Sequence, residues 1–139
     1  MSEHLILRVI TKLLVPFILL FALYVQMHGD YGPGGGFQAG VIFGTAFIVY
    51  AIVFGVSKTI RAIPVAAIAL MVSLGVILYA GVGFAALFFG GNFLDYSAFD
   101  PGHPAHGQHL GILLVELGVG ITVAGVIMAI FLTFAERRY

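Results

Sequence analysis

All six lysines and arginines of this chain stand at the ends of long apolar runs, and all six can be placed on one side of a membrane. Arg8 and Lys12 open the first run, Lys58 and Arg61 lie between the second and third, and Arg137 and Arg138 follow the last. The two connections that then face the other side carry no lysine or arginine, only Asp30, Asp95, Asp100 and most of the histidines. Cytoplasmic loops of helical membrane proteins carry the excess of basic residues. The pattern therefore predicts an all-α integral membrane protein with four transmembrane helices and cytoplasmic N- and C-termini. Such a chain is multi-pass in a cytoplasmic membrane.

A hydrocarbon core of about 30 Å takes about 20 helical residues. Four stretches meet that length, at 9–27, 37–57, 64–89 and 110–134, within a single membrane domain covering 1–139. Lys12 lies close enough to the first inner end to snorkel to the surface. Pro64 suits a first helical turn, where its missing N–H has no partner to lose. The connection 28–36 is short, glycine-rich and external, and 58–63 is a tight internal turn. The long external connection, 90–109, holds Phe93, Tyr96 and Phe99, aromatics suited to the headgroup level. The first run ends without a small-x-small cleavage site and reads as an uncleaved span, not a signal peptide.

Composition excludes several classes. Charged residues are 9% of the chain, against roughly 25% in a soluble domain, so water-soluble packing is ruled out and the lipid bilayer is the partner. A formal net charge of zero gives no reason to expect nucleic acid. With no cysteine, there is no disulfide, thiol catalysis or cysteine-ligated cluster. Nothing in the chain asks for a cofactor or marks an enzyme.

Small residues mark where backbones meet. Gly36, Gly40 and Gly44 form a doubled GxxxG on the second span, roughly extended by Ala51 and Gly55. Gly111, Gly118 and Gly125 recur every seven residues on the fourth. Such seams let helices approach closely in lipid. Internal packing alone is one use for them. The larger share is expected to go to partner subunits, because four helices do not easily bury two seams, bulky faces and a polar site by themselves.

Glu116 is the only carboxylate inside a span. It lies roughly 10 Å, about two turns, inside the outer end of the fourth helix. Ionisable groups at such depth are costly, face protein or water, and are functional candidates. His109, seven residues earlier, shares its face, whereas Gly118 points elsewhere. One reading makes Glu116 a proton- or cation-attracting group in a transport path; the other makes it a neutral acid hydrogen-bonded across helices. His103, His106 and His109 recur every three residues, but Pro104 and Gly107 are expected to interrupt the helix that would align them, so no metal site is assigned. A solvated loop titrating near neutrality is the reading kept for them.

The most distinctive string is the first external turn, His28 to Gly40, with Pro33 followed by three glycines. Those glycines permit backbone conformations that side chains forbid. Asp30 can stay ionised there and draw cations weakly. A nucleotide cradle is excluded, since no strand precedes the turn and no Lys-Ser/Thr ending follows.

The string Gly32-Pro33-Gly34-Gly35-Gly36-Phe37-Gln38-Ala39-Gly40, directly after a first apolar span, resembles the MnhB-type membrane subunit of the multisubunit Na+/H+ antiporters known as Mrp or Mnh. Carried over residue by residue, the motif positions are Pro33, Gly34, Gly35, Gly36, Phe37 and Gly40. The resemblance implies one non-catalytic component of a bacterial or archaeal cytoplasmic-membrane complex that exchanges Na+ for H+. Its implied partners are other membrane subunits, including large ones related to the proton-pumping subunits of respiratory complex I. Ion-path candidates are Glu116, His109 and Asp30. Two other readings compete: a self-sufficient homo-oligomeric transporter or channel, and a membrane-arm subunit of a hydrogenase-like respiratory complex.

Overall fold

A computed structural model describes residues 4–136; Arg137 and Arg138 lie outside them. Four helices are long and apolar enough to cross a membrane: α1 (Leu5–His28), α2 (Gly36–Phe54), α4 (Val65–Phe88) and α5 (Pro104–Glu136). A short α3 (Val56–Ala62) joins α2 to α4, and a 3-10 turn (Tyr96–Phe99) lies in the long connection. Among the described residues there is no strand. In lipid every backbone polar group needs an internal partner, which is what continuous helix supplies. Hydroxyls are disposed of in the same way. Thr45, Ser73, Thr122 and Thr133 donate to the carbonyls of Val41, Ala69, Gly118 and Ala129, four residues back and 2.8–3.1 Å away.

Two boundaries differ from expectation. The connection 58–63 is not a tight turn. Gly55 adopts φ +93°, a conformation that breaks α2, and the chain re-forms as α3 before Pro64 starts α4. A Cβ on Gly55 would meet nothing within 4 Å, so this glycine ends a helix and does not extend the packing face. The second difference is at α5, which begins at Pro104, six residues earlier than expected. Proline at a first helical position loses no hydrogen bond, so Pro104 starts the helix instead of interrupting it. Gly107 is needed there for a different reason. A Cβ on it would stand 2.6 Å from the carbonyl oxygen of Tyr96.

Helix α5 is central, packed on α4 along one side and α2 along the other, while α1 leans mainly on α2. Both glycine seams are consumed by this arrangement. A Cβ on Gly40 would stand 2.6 Å from the Gly120 carbonyl oxygen, and one on Gly44 2.7 Å from Ile127 Cγ2. Likewise a Cβ on Gly118 would lie 2.8 Å from the Gly75 carbonyl oxygen, and one on Gly125 2.9 Å from Val72. Partner subunits are therefore not what the seams pack against: α2 uses its seam on α5, and α5 uses its own on α4. Gly111, the third member of the α5 seam, lies under the ring of Tyr96.

The four helices place Arg8, Lys12, Lys58 and Arg61 at one end, here the basic end, with Lys12 Nζ 5.8 Å from the centre of the Phe54 ring. Asp30, Asp95 and Asp100 lie at the other, the acidic end. The basic half holds the apolar core, in which Phe47, Ile68, Ala124, Met128 and Leu132 are buried together. At the acidic end the long connection is pinned by its aromatics. Phe93 packs on Gly83 and edge-on to Phe84, and Phe99 sits edge-on to Phe89, with ring centres 5.7 Å apart in both pairs.

Candidate functional site

The turn between α1 and α2 doubles back tightly. Tyr31 and Gly32 donate their N–H groups to the His28 carbonyl, and Gly35 donates to that of Val25, all at 3.1 Å. Gly35 has φ +116°, where side chains are strained, and a Cβ on Gly34 would come within 2.8 Å of the Val25 carbonyl oxygen. Local geometry thus accounts for two glycines of the motif.

Glu116 accounts for Gly36, and also for Gly29 just before the motif. A Cβ on Gly36 would overlap the Glu116 backbone carbonyl, and one on Gly29 would overlap both carboxyl oxygens. A Cβ on Gly35 would stand 2.8 Å from Glu116 Oε1. The glycine-rich turn is therefore folded over the side chain of Glu116, at the N-terminus of α2. Two features that are separate in sequence form one unit.

Asp30 and His109 clasp this unit shut. Asp30 Oδ2 pairs with His109 Nδ1, and Tyr31 stacks on the same imidazole with ring centres 6.3 Å apart. Between the end of α1 and the start of α5 lies a cavity of about 220 Å³, with Asp30, Tyr31, His109, Glu116 and Gln26 in its wall. Among the described residues no lysine or arginine lines it. Two carboxyl groups and an imidazole thus share one small chamber.

The three ion-path candidates Glu116, His109 and Asp30 are brought together. Pro33 and Phe37 are not; both are exposed, and Phe37 turns 62% of its surface outward. His103 and His106 also go elsewhere, with Nδ1 atoms 4.0 and 3.4 Å from Asp100 Oδ2, so the three imidazoles do not converge. In the same connection Ser97 Oγ donates to Asp95 Oδ1, which holds that carboxyl below the usual carboxylate value. Burial over α5 pushes the Tyr96 phenol up.

Sequence reasoning missed Gln26. It is 7% exposed, its Nε2 has no hydrogen-bond partner among the described residues, and it reaches from α1 towards α5. A Cβ on Gly120, one turn beyond Glu116, would stand 2.5 Å from its Oε1. The available signal was an amide in the last turn of an otherwise apolar run.

Comparison with known proteins gives a consistent answer. Residues 6–129 match the family model described as a domain related to the MnhB subunit of Na+/H+ antiporter. A Staphylococcus haemolyticus protein that bears the name antiporter subunit mnhB2 is 38% identical over 139 residues, covering 99% of this chain and 98% of its own. Its namesakes in Staphylococcus aureus (strain Newman) and Staphylococcus epidermidis (strain ATCC 12228) are 35% and 32% identical with the same coverage. With a glycine turn built round one membrane carboxylate and a match along nearly its whole length, this chain belongs to the family of domains related to the MnhB subunit of Na+/H+ antiporters.

Proposed function

We propose that the protein is one subunit of a multisubunit Na+/H+ antiporter of a bacterial cytoplasmic membrane, with its basic end in the cytoplasm. It catalyses no reaction. Its first role is assembly with the other membrane subunits, including complex I-like large ones. Both glycine seams are used internally, so the surfaces left for partners are the outward faces, such as that of α1 with Phe17 and Leu20 and the motif's own Pro33 and Phe37. Its second role is to line part of the ion path at Glu116, Asp30 and His109, where Na+ or H+ passes the external end. The supporting observation is that the motif carrying the family likeness is folded round Glu116. A turn that only joined two helices would need no such fit to a carboxyl group.

A clean deletion, complemented in the native host, tests this reading through Na+/H+ exchange in everted membrane vesicles. Exchange is expected to vanish on deletion and return with the wild-type gene. Glu116→Gln is expected to restore complex yield but to lower exchange several-fold or shift its pH profile. The groups that face Glu116 are Asp30 and Tyr31 from the turn, His109 from α5 and the neutral Gln26 from α1. The start of α2 brings Gln38 beside Gly35, and its amide does not titrate. Normal exchange in the deletion would overturn the subunit assignment, and a wild-type pH profile in Glu116→Gln would reduce Glu116 to a packing residue.

A further inference from the structure

The cavity at Glu116 is the first of three that follow one another along the bundle. Below it lies a second, of about 200 Å³, and Gln26 belongs to the walls of both. Towards the basic end lies a third, of about 350 Å³, and Phe43 and Met71 belong to the walls of the second and third. The first is polar. The second is lined by groups such as Ala22, Leu23, Ala39, Phe43 and Leu117, and Gln26 is its only polar side chain. The third adds only Tyr50 and Thr59 to an apolar wall.

The second and third are half-open grooves whose apolar walls offer water and ions almost no polar partner, and an ion without water or ligands does not enter them. The polar chamber is different. It has room for several waters at about 30 Å³ each and two carboxyl groups, of which Asp30 is paired with the His109 imidazole and Glu116 has no lysine or arginine beside it among the described residues. Gln26 sits where wet gives way to dry. A buried amide without a partner is costly, and carbonyl and NH2 ends let it face either a cation or a water. Its Nε2 finds no partner among the described residues, and the polar chamber that it lines is a place for one to come from.

We propose that the chamber is a blind vestibule for a small hydrated monovalent cation, entered from the external side, and that Gln26 is its floor. The proposal rests on the orientation and ion-path reading above and deepens it. Charge reaches Glu116 from outside and does not continue down this subunit, so any onward route leaves sideways to a partner. Gln26 is a positioning residue that separates the hydrated chamber from the dry cavities.

The chain has no cysteine of its own, so single cysteines report water access cleanly. In the intact complex, in right-side-out and in everted vesicles, Leu113→Cys (chamber wall) and Phe43→Cys (beyond the floor) are treated with membrane-impermeant cationic or anionic methanethiosulfonates. Labelling is then quantified on this chain after purification. Leu113→Cys is expected to react from the external side only, at least ten-fold faster with the cationic reagent. Phe43→Cys is expected to stay unlabelled from both sides, and to become labelled from outside when Gln26→Ala is added. Gln26→Met, which keeps the bulk, is expected to leave it protected; complex yield is read in the same samples, and Gln26→Asn replaces Gln26→Ala if yield falls. Access to Leu113→Cys from the cytoplasmic side, or without charge preference, would overturn the vestibule. Labelling of Phe43→Cys with Gln26 intact would overturn the floor. Access is read independently of exchange, so these failures differ from failure of the subunit assignment.

Discussion

The two halves of the bundle are built on different principles although the same helices run through both. In the basic half Gly44 and Gly125 also bring helices close, but large apolar side chains fill the space around them, and Phe47, Ile68, Met128 and Leu132 are buried with Ala124. In the acidic half, helices meet backbone to backbone through Gly36, Gly75 and Gly118, and the side chains at the joins are Glu116, Thr122 and Gln26. The first half resists separation through packing that a void disrupts. The second resists it through close approach, which leaves room for a polar chamber that larger residues would fill. Under the proposed function, the contrast makes one short chain an anchor at one end and an ion-handling surface at the other.

The acidic half should be most sensitive to a side chain added where backbones touch. Gly36→Val places its Cβ on the Glu116 carbonyl, a contact between two helices with no flexible side chain to yield. We expect at least a ten-fold loss of assembled complex, measured by affinity purification from native membranes. Gly81→Val is the matched control, because a Cβ on Gly81 meets nothing within 4 Å. Its yield should equal wild type. Equal yields for both variants would show that the acidic half does not depend on close approach.

Next in size is a void in the basic half. Phe47 is 6% exposed within the apolar core, and Phe→Ala at such sites costs about 3–5 kcal/mol. Phe47→Ala should therefore lower the unfolding midpoint in mild detergent, while exchange per assembled complex stays at the wild-type rate. A selective loss of exchange with stability intact would show that the basic half also handles ions. Glu116→Gln should do the reverse, with stability kept and exchange changed.

What the sequence disclosed follows the same division. The four spans are legible because lipid demands about 20 apolar residues at each crossing; the C-terminal end of α1 and both ends of α4 fall close to the expected positions, while α1 begins earlier, at Leu5. Glu116 stands out as a lone carboxylate among apolar neighbours, and its shared face with His109 follows from helical periodicity. What periodicity cannot supply is the partner. A GxxxG strip shows that something comes close without showing what, so the seam of α2 gave no sign that its neighbour is α5. The same holds for the glycine turn and Glu116, about eighty residues apart, which meet only through tertiary packing. Pro104 and Gly55 were misread because each residue has two uses. Proline both starts and breaks helices, and glycine both packs and reverses the chain. Gln26 was overlooked because a single amide in an apolar run does not disturb hydropathy.

A fine electrostatic change in the long connection marks where the acidic half ends. Asp95 lies in the long connection, outside the spans, with its carboxyl lowered chiefly by the Ser97 hydroxyl, against a little burial, with the backbone N–H of Ser97 also contributing. A carboxyl whose folded value is depressed contributes stability above its ordinary value and loses it as pH falls through the folded value. Ser97→Ala removes the main donor, so the Asp95 titration should move up towards the ordinary carboxylate value, read by 13C NMR of the labelled carboxyl in detergent. The connection itself is held by Phe93 on Gly83, Tyr96 over Gly111 and Phe99 against Phe89, none of which involves the hydroxyl. Complex yield and exchange should therefore not change. An unchanged Asp95 titration would remove Ser97 as its cause. A loss of exchange would mean that the connection shares in the chamber's work, and that the ion-handling half extends to the loop above it.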